Sequence, residues 1–178
     1  ASSITASNVN FSGGTTSVSG SGYNVGGTTT ISGGTLNANG LLSTAAFTLS
    51  SGTLSGTGNV TVSGTSTLSG GQMVGTGHTI ANGPVVINGS IGIDEGRVLE
   101  IRGGGTWSGG NISLNPNNTG NGLAGVIRNF AGSTLNTTFD GTISASNFGG
   151  AEAGASALFD NQGVLQKTGG AGTSTWKS

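Results

Sequence analysis

No Asp, Glu, Lys or Arg occurs between Ala1 and Ile93, and His78 is the only side chain in that half that titrates near neutral pH. Acid–base chemistry there has no participant beyond one imidazole. All six acids (Asp94, Glu95, Glu100, Asp140, Glu152, Asp160) and all five bases (Arg97, Arg102, Arg128, Lys167, Lys177) lie in the remainder, for a net charge of −1. Nucleic acid and anionic membrane surfaces are bound through clustered Lys and Arg, so neither is expected as a partner. Cysteine is absent, which excludes a disulfide framework and a thiolate metal site. No apolar run approaches the ~20 residues that cross a bilayer as a helix, so no membrane insertion is expected. No cationic, apolar signal segment precedes Ala1. The expectation is a soluble chain, the mature or excised part of a longer secreted product.

Gly, Ser, Thr and Asn supply 104 of the 178 residues, a mixture that alone reads as flexible linker. A regular series of apolar residues argues for order: Ile31, Leu36, Leu49, Leu54, Val60, Val62, Leu68, Met73, Ile80, Val85, Ile87, Ile91, Ile93. Disordered chains lack such a series and carry more charge. The motifs Ser12-Gly13-Gly14, Ser32-Gly33-Gly34, Ser51-Gly52-Thr53, Ser69-Gly70-Gly71 and Ser108-Gly109-Gly110 recur at 20, 19, 18 and 39 residues, the last close to two periods. A repeat of this length means stacked units.

Within each period the pattern is strand then turn. Asn59-Val60-Thr61-Val62-Ser63-Gly64, Thr79-Ile80-Ala81 and Gly89-Ser90-Ile91-Gly92-Ile93 alternate as half-buried strands do, and each run ends at Gly or Asn. Helix is disfavoured because every window contains glycine, at about 1 kcal/mol per interior position. The fold expected is all-β, a single-stranded parallel β-helix of about nine coils of 18 to 20 residues, stacked at ~4.8 Å into a rod ~40 Å long. Residues 1–178 form one domain, regular over 1–114 and looser over 115–178, with loops at Asn115–Gly122 and Phe148–Ala155. Stacked like charges destabilise a sheet, so an uncharged half suits tight coils.

Gly52-Thr53-Leu54-Ser55-Gly56-Thr57-Gly58-Asn59-Val60-Thr61-Val62, Thr106-Trp107-Ser108-Gly109-Gly110-Asn111-Ile112 and Asn161-Gln162-Gly163-Val164-Leu165-Gln166-Lys167-Thr168-Gly169-Gly170 resemble the degenerate Gly/Thr/Ser-rich repeats of large bacterial surface proteins. These are the β-solenoid stalks of adhesins, autotransporter passengers and haemagglutinin-like exoproteins. The resemblance implies secretion, a place at the bacterial cell surface, and a structural or adhesive role. It transfers no active site.

Few residues carry chemistry. Gly120-Asn121-Gly122-Leu123-Ala124-Gly125 matches a dinucleotide fingerprint but follows an Asn-rich loop and opens no helix, so it reads as chance. His78 has no acid within fifteen residues and reads as a solvated turn histidine. In Asp94-Glu95-Gly96-Arg97-Val98-Leu99-Glu100-Ile101-Arg102, inward Leu99 and Ile101 would put Glu100 and Arg102 on one outer face as an exposed pair worth at most about 1 kcal/mol. That cluster is also the one place for a polysaccharide-active enzyme, with Glu100 paired to Asp94 or Glu95. Calcium is not expected, because Asp140 and Asp94-Glu95 are isolated from other acids. Trp107, beside a corner, could stack on a sugar. The binding candidates are therefore Trp107, Glu100 and Arg102; no catalytic residue, metal or cofactor is assigned.

The functional expectation is a non-catalytic extracellular stalk or self-assembling fibre subunit. Its partners would be itself end to end, the rest of a longer solenoid chain, or surface glycans. The alternatives are a glycan-binding adhesin module, a polysaccharide-active β-helix enzyme and an ice-binding solenoid. The last is weakened because Thr28-Thr29-Thr30 and Thr65-Ser66-Thr67 read as lying at different phases of the period.

Overall fold

In a computed structural model, which describes residues 3–177, the chain is a parallel β-solenoid. After the short β1 (Ser3–Ala6), three strands are long because they run on through corners: β2 (Val9–Val18), β3 (Gly22–Ala38) and β4 (Leu42–Leu49). Shorter strands follow, one per side: β5 (Thr53–Ser55), β6 (Val60–Val62), β7 (Ser66–Leu68), β8 (Gln72–Met73), β9 (His78–Ala81), β10 (Val85–Asn88), β11 (Ile91–Ile93), β12 (Val98–Ile101), β13 (Gly105–Gly109) and β14 (Ile112–Ser113). The last two coils hold β15 (Val126–Asn129), β16 (Thr134–Thr137), β17 (Thr142–Ser144), a single 3-10 turn at Gly150–Glu152, β18 (Leu158–Asn161), β19 (Val164–Lys167) and β20 (Thr175–Lys177).

The strands stack into three parallel columns. The first contains β1, the starts of β3 and β4, then β6, β9, β12, β15 and β18. The second runs from the start of β2 through the middle of β3 and the end of β4 to β7, β10, β13, β16 and β19. The third joins the ends of β2 and β3 to β5, β8, β11, β14, β17 and β20. Val60 pairs with Thr79, 19 residues on, but Val98 pairs with Val126 and Val126 with Leu158. The coils are therefore fewer than the nine expected, because the later ones absorb the loops that the Asn- and Gly-rich composition marks.

Alternation along each strand builds the core. On the second side Ile31, Leu49, Leu68, Ile87 and Trp107 stack inward in register, and on the third Leu36, Leu54, Met73 and Ile93 do the same, all fully buried. Tyr23, Thr29 and Thr44, which fall inside, are paired: the Tyr23 hydroxyl bonds Thr29 Oγ1 at 2.8 Å, Thr29 donates to Thr44 at 3.0 Å, and Thr44 donates to the Ala46 carbonyl at 2.8 Å, whereas the buried hydroxyls of Ser66 and Thr79 have no partner. This chain of hydroxyls satisfies groups that would be costly to bury alone.

The outward column of the second side is Thr30, Thr48, Thr67, Val86 and Thr106. Thr30 and Thr67 thus share one phase, two coils apart, which corrects the expectation that their runs are out of step. The coils between them differ by a residue in length, and corners absorb the difference. Val86 interrupts the hydroxyl ladder.

Candidate functional site

The charged residues gather where the regular coils end. Leu99 and Ile101 point inward and Glu100 outward, as alternation requires. Register then sets Glu100 over Ile80 of the preceding coil and under Arg128 of the next. Arg102 Nε and Nη2 donate to Glu100 Oε2 at 2.9 and 2.6 Å, and His78 Nδ1 lies 2.5 Å from Glu100 Oε1. The Arg102 guanidinium also lies over the Phe130 ring, 4.7 Å from its centroid, a cation–π contact. One rung further on, Arg128 Nε donates to Asp160 Oδ2 at 2.7 Å.

This geometry corrects two expectations. His78 is no free turn residue: it opens β9 and is held by Glu100, 22 residues away but one coil along. Glu100 is only 4% exposed, because the imidazole and the guanidinium cover it, so the pair with Arg102 is not the exposed one foreseen. Burial pushes the Glu100 carboxyl up, but hydrogen bonds from His78 and Arg102 outweigh it and hold the group below the ordinary glutamate range. A carboxyl lowered in the folded state contributes stability above its unfolded pKa and loses it as pH falls through the folded value. Glu100→Gln is therefore expected to cost about 1–2 kcal/mol at neutral pH. It also flattens the decline of Tm on acidification below the carboxylate range, measured by circular dichroism across pH; an unchanged acid slope would refute this.

Both oxygens of Glu100 are occupied, and Asp94 is turned elsewhere, its Oδ1 and Oδ2 accepting the Glu95 and Asn117 backbone N–H groups at 2.9 Å each. Glu100 and Asp94 thus share no hydrogen-bond partner. Burial raises the Asp94 carboxyl, the opposite direction to Glu100.

Trp107 is fully buried. Its Nε1 donates to the Gly110 carbonyl at 3.0 Å, and its ring meets Phe139 edge-on at 5.2 Å and Trp176 at 6.2 Å. That placement leaves no ring face for a saccharide. Alignment of Val85-Val86-Ile87 with Gly105-Thr106-Trp107, 20 residues on, would have given it away, because Trp107 then stands in line with inward Ile87. Among the aromatics that reach the surface is Trp176, which packs on Phe159 at 4.6 Å beside a hollow of about 110 Å³ also lined by Leu114, Ile143 and Ala157.

Arg97, which carried no expectation, is fully buried. It follows the glycine corner column of Gly40, Gly58 and Gly77, reaches back two coils, and donates Nη1 to the Gly58 carbonyl at 3.3 Å. Desolvation lowers its pKa to about 10, so it stays charged at neutral pH.

Among the described residues no helix is long and apolar enough to cross a membrane. Comparison with protein-family models, curated proteins and solved structures gives no match for this chain.

Proposed function

We propose that this chain is a non-catalytic structural segment of an extracellular stalk or fibre at a bacterial surface, and that its ends stack on further parallel coils. The observation that carries the reading is the state of the two end coils. β1 and β2 pair only with β3, while β18, β19 and β20 pair only with β15, β16 and β17. All three columns thus end in strands with one edge unpartnered among the described residues. Inward positions there remain apolar and partly open, with Phe11 at one end and Phe159 and Leu165 at the other. Open parallel edges over an apolar core accept another strand unless charge, Pro or a cap blocks them; β1 and β2 carry no charge or Pro, whereas the last coil carries Asp160, Lys167 and Lys177, so the N-terminal edge is the receptive one. The side walls, rich in Ser, Thr and Asn, suit a spacer that meets water along its length.

Electron microscopy of the purified chain at rising concentration tests this. Filaments a single solenoid wide are expected, and Leu158→Lys with Val164→Lys, two exposed positions on the last coil, should return dispersed short rods. Dispersed rods from the unaltered chain at every concentration would remove the self-assembling fibre and leave a spacer within a longer chain. Freezing-point hysteresis in the same samples would instead favour the ice-binding alternative, which the Thr30, Thr48 and Thr67 ladder would serve.

A further inference from the structure

Where the coils lengthen, two buried carboxylates hold one loop from both sides. Asp94, fully buried after β11, accepts the Asn117 N–H at 2.9 Å. Glu152, 4% exposed, accepts the Gly122 N–H at 2.8 Å and the Thr119 hydroxyl at 3.4 Å through Oε1. Asn115, 1% exposed, ties the same cluster together: its Nδ2 donates to the Ser146 carbonyl at 2.8 Å and to the Glu152 carbonyl at 3.3 Å. Those two acceptors fix the amide orientation, since the flipped form would set Oδ1 against two carbonyl oxygens.

Two oxygens in this cluster are left over. Glu152 Oε2 and Asn115 Oδ1 are buried and have no hydrogen-bond partner. Neither Asp94 nor Glu152 forms a salt bridge among the described residues, whose ion pairs involve Glu100, Asp160 and Asp140. An unpaired buried carboxylate oxygen is costly. Both unpartnered atoms are oxygens, one of a carboxylate and one of an amide, and Asp94 holds the same loop with a second carboxylate. That set fits a hard divalent cation, not a transition metal that prefers nitrogen or sulfur.

We propose that this loop cluster is a calcium site, in which Asp94, Glu152 and the Asn115 side-chain oxygen are the protein ligands, with backbone carbonyls and water completing the shell. Calcium takes six to eight oxygens in flexible geometry, which a loop-built cluster can supply. No group of three or more His, Asp or Glu gathers among the described residues, so neutral oxygens must provide most of the shell. The affinity then falls in the weak range of extracellular modules, about 10⁻⁴–10⁻³ M. Bound calcium would pin the loop 115–122 to the Gly150–Glu152 turn across two lengthened coils.

The test uses the full chain. Isothermal titration with calcium chloride should give saturable heat in that range, and about 10 mM calcium should raise Tm by roughly 5–10 °C over an EDTA control. Magnesium at the same concentration should give a much smaller shift, because it dehydrates reluctantly and demands octahedral geometry. Glu152→Gln and Asp94→Asn should each weaken calcium binding by about tenfold or more, since ligand charge sets affinity. Hydrogen exchange places the site without any variant: calcium should slow exchange at 117–122 and 150–154. No saturable heat, affinity in both variants unchanged from that of the unaltered chain, or protection elsewhere in the chain would each overturn the proposal.

Discussion

Gly58→Ala lowers Tm by roughly 10 °C, whereas Gly13→Ala leaves it within a degree or two. The two substitutions add the same methyl group to the same kind of glycine-rich corner and differ only in what the methyl meets. A Cβ on Gly58 would fall on the carbonyl of Gly40, one coil back, and a Cβ on Gly77 would in turn fall on that of Gly58. These obstacles are backbone atoms of neighbouring coils held by the strand ladder, so the strain cannot be relieved by turning a side chain. Overpacking of this kind costs about 3 kcal/mol, at 2–4 °C per kcal/mol for a chain of this size. Gly58 also accepts the only hydrogen bond that the buried Arg97 guanidinium makes among the described residues, so a displaced corner unseats a charge as well. A Cβ on Gly13 meets nothing within 4 Å, and its loss of unfolded-state entropy is slightly stabilising. Thermal melts of the two variants decide the matter. Equal behaviour would mean that coil spacing adapts freely at the corners.

Trp107→Ala costs about 3–5 kcal/mol, and the loss is local. The indole occupies the inward position that Ile87 holds one coil earlier, so the solenoid must widen at this rung. It does so with glycine: a Cβ on Gly141 would lie 2.5 Å from both Trp107 Cζ2 and Phe139 Cζ. Deleting the ring leaves a cavity that Gly141 cannot fill and an unpartnered Gly110 carbonyl. Each coil of a solenoid draws its stability from its neighbours, so hydrogen exchange should accelerate in β10, β13 and β16 while β2 to β5 keep their protection. Uniform acceleration along the chain would show instead that all coils unfold as one cooperative unit.

Much of this architecture is legible in the residues. The Ser-Gly-Gly spacing of 18 to 20 matches the strand offsets of the regular coils, as in Thr35 to Thr53 and Phe47 to Ser66. Alternation in Val60-Thr61-Val62 and in Val98-Leu99-Glu100-Ile101 assigns inward and outward positions correctly. The loops at 115–122 and 148–155 lie where Pro, Asn and Gly accumulate. The charged cluster was less legible. Glu100 and Arg102 are two apart on one strand and could be paired by eye, but His78 belongs to them only through register. Trp107 was misplaced because its nearness to a corner outweighed its parity with Ile87.

The sequence by itself determined the class of fold and the absence of charge along the first coils, because a short repeat of alternating strand and glycine corner has few ways to bury its apolar residues other than stacking. Tertiary structure alone decided which residues meet. Lateral neighbours in a parallel solenoid lie one whole coil apart, and coil length varies from 18 residues between Thr35 and Thr53 to 33 between Thr142 and Thr175. Corners absorb these differences and keep the inward ladders in step, so the union of His78 with Glu100, and of Asp94 and Glu152 around one loop, depends on register that only the folded stack defines.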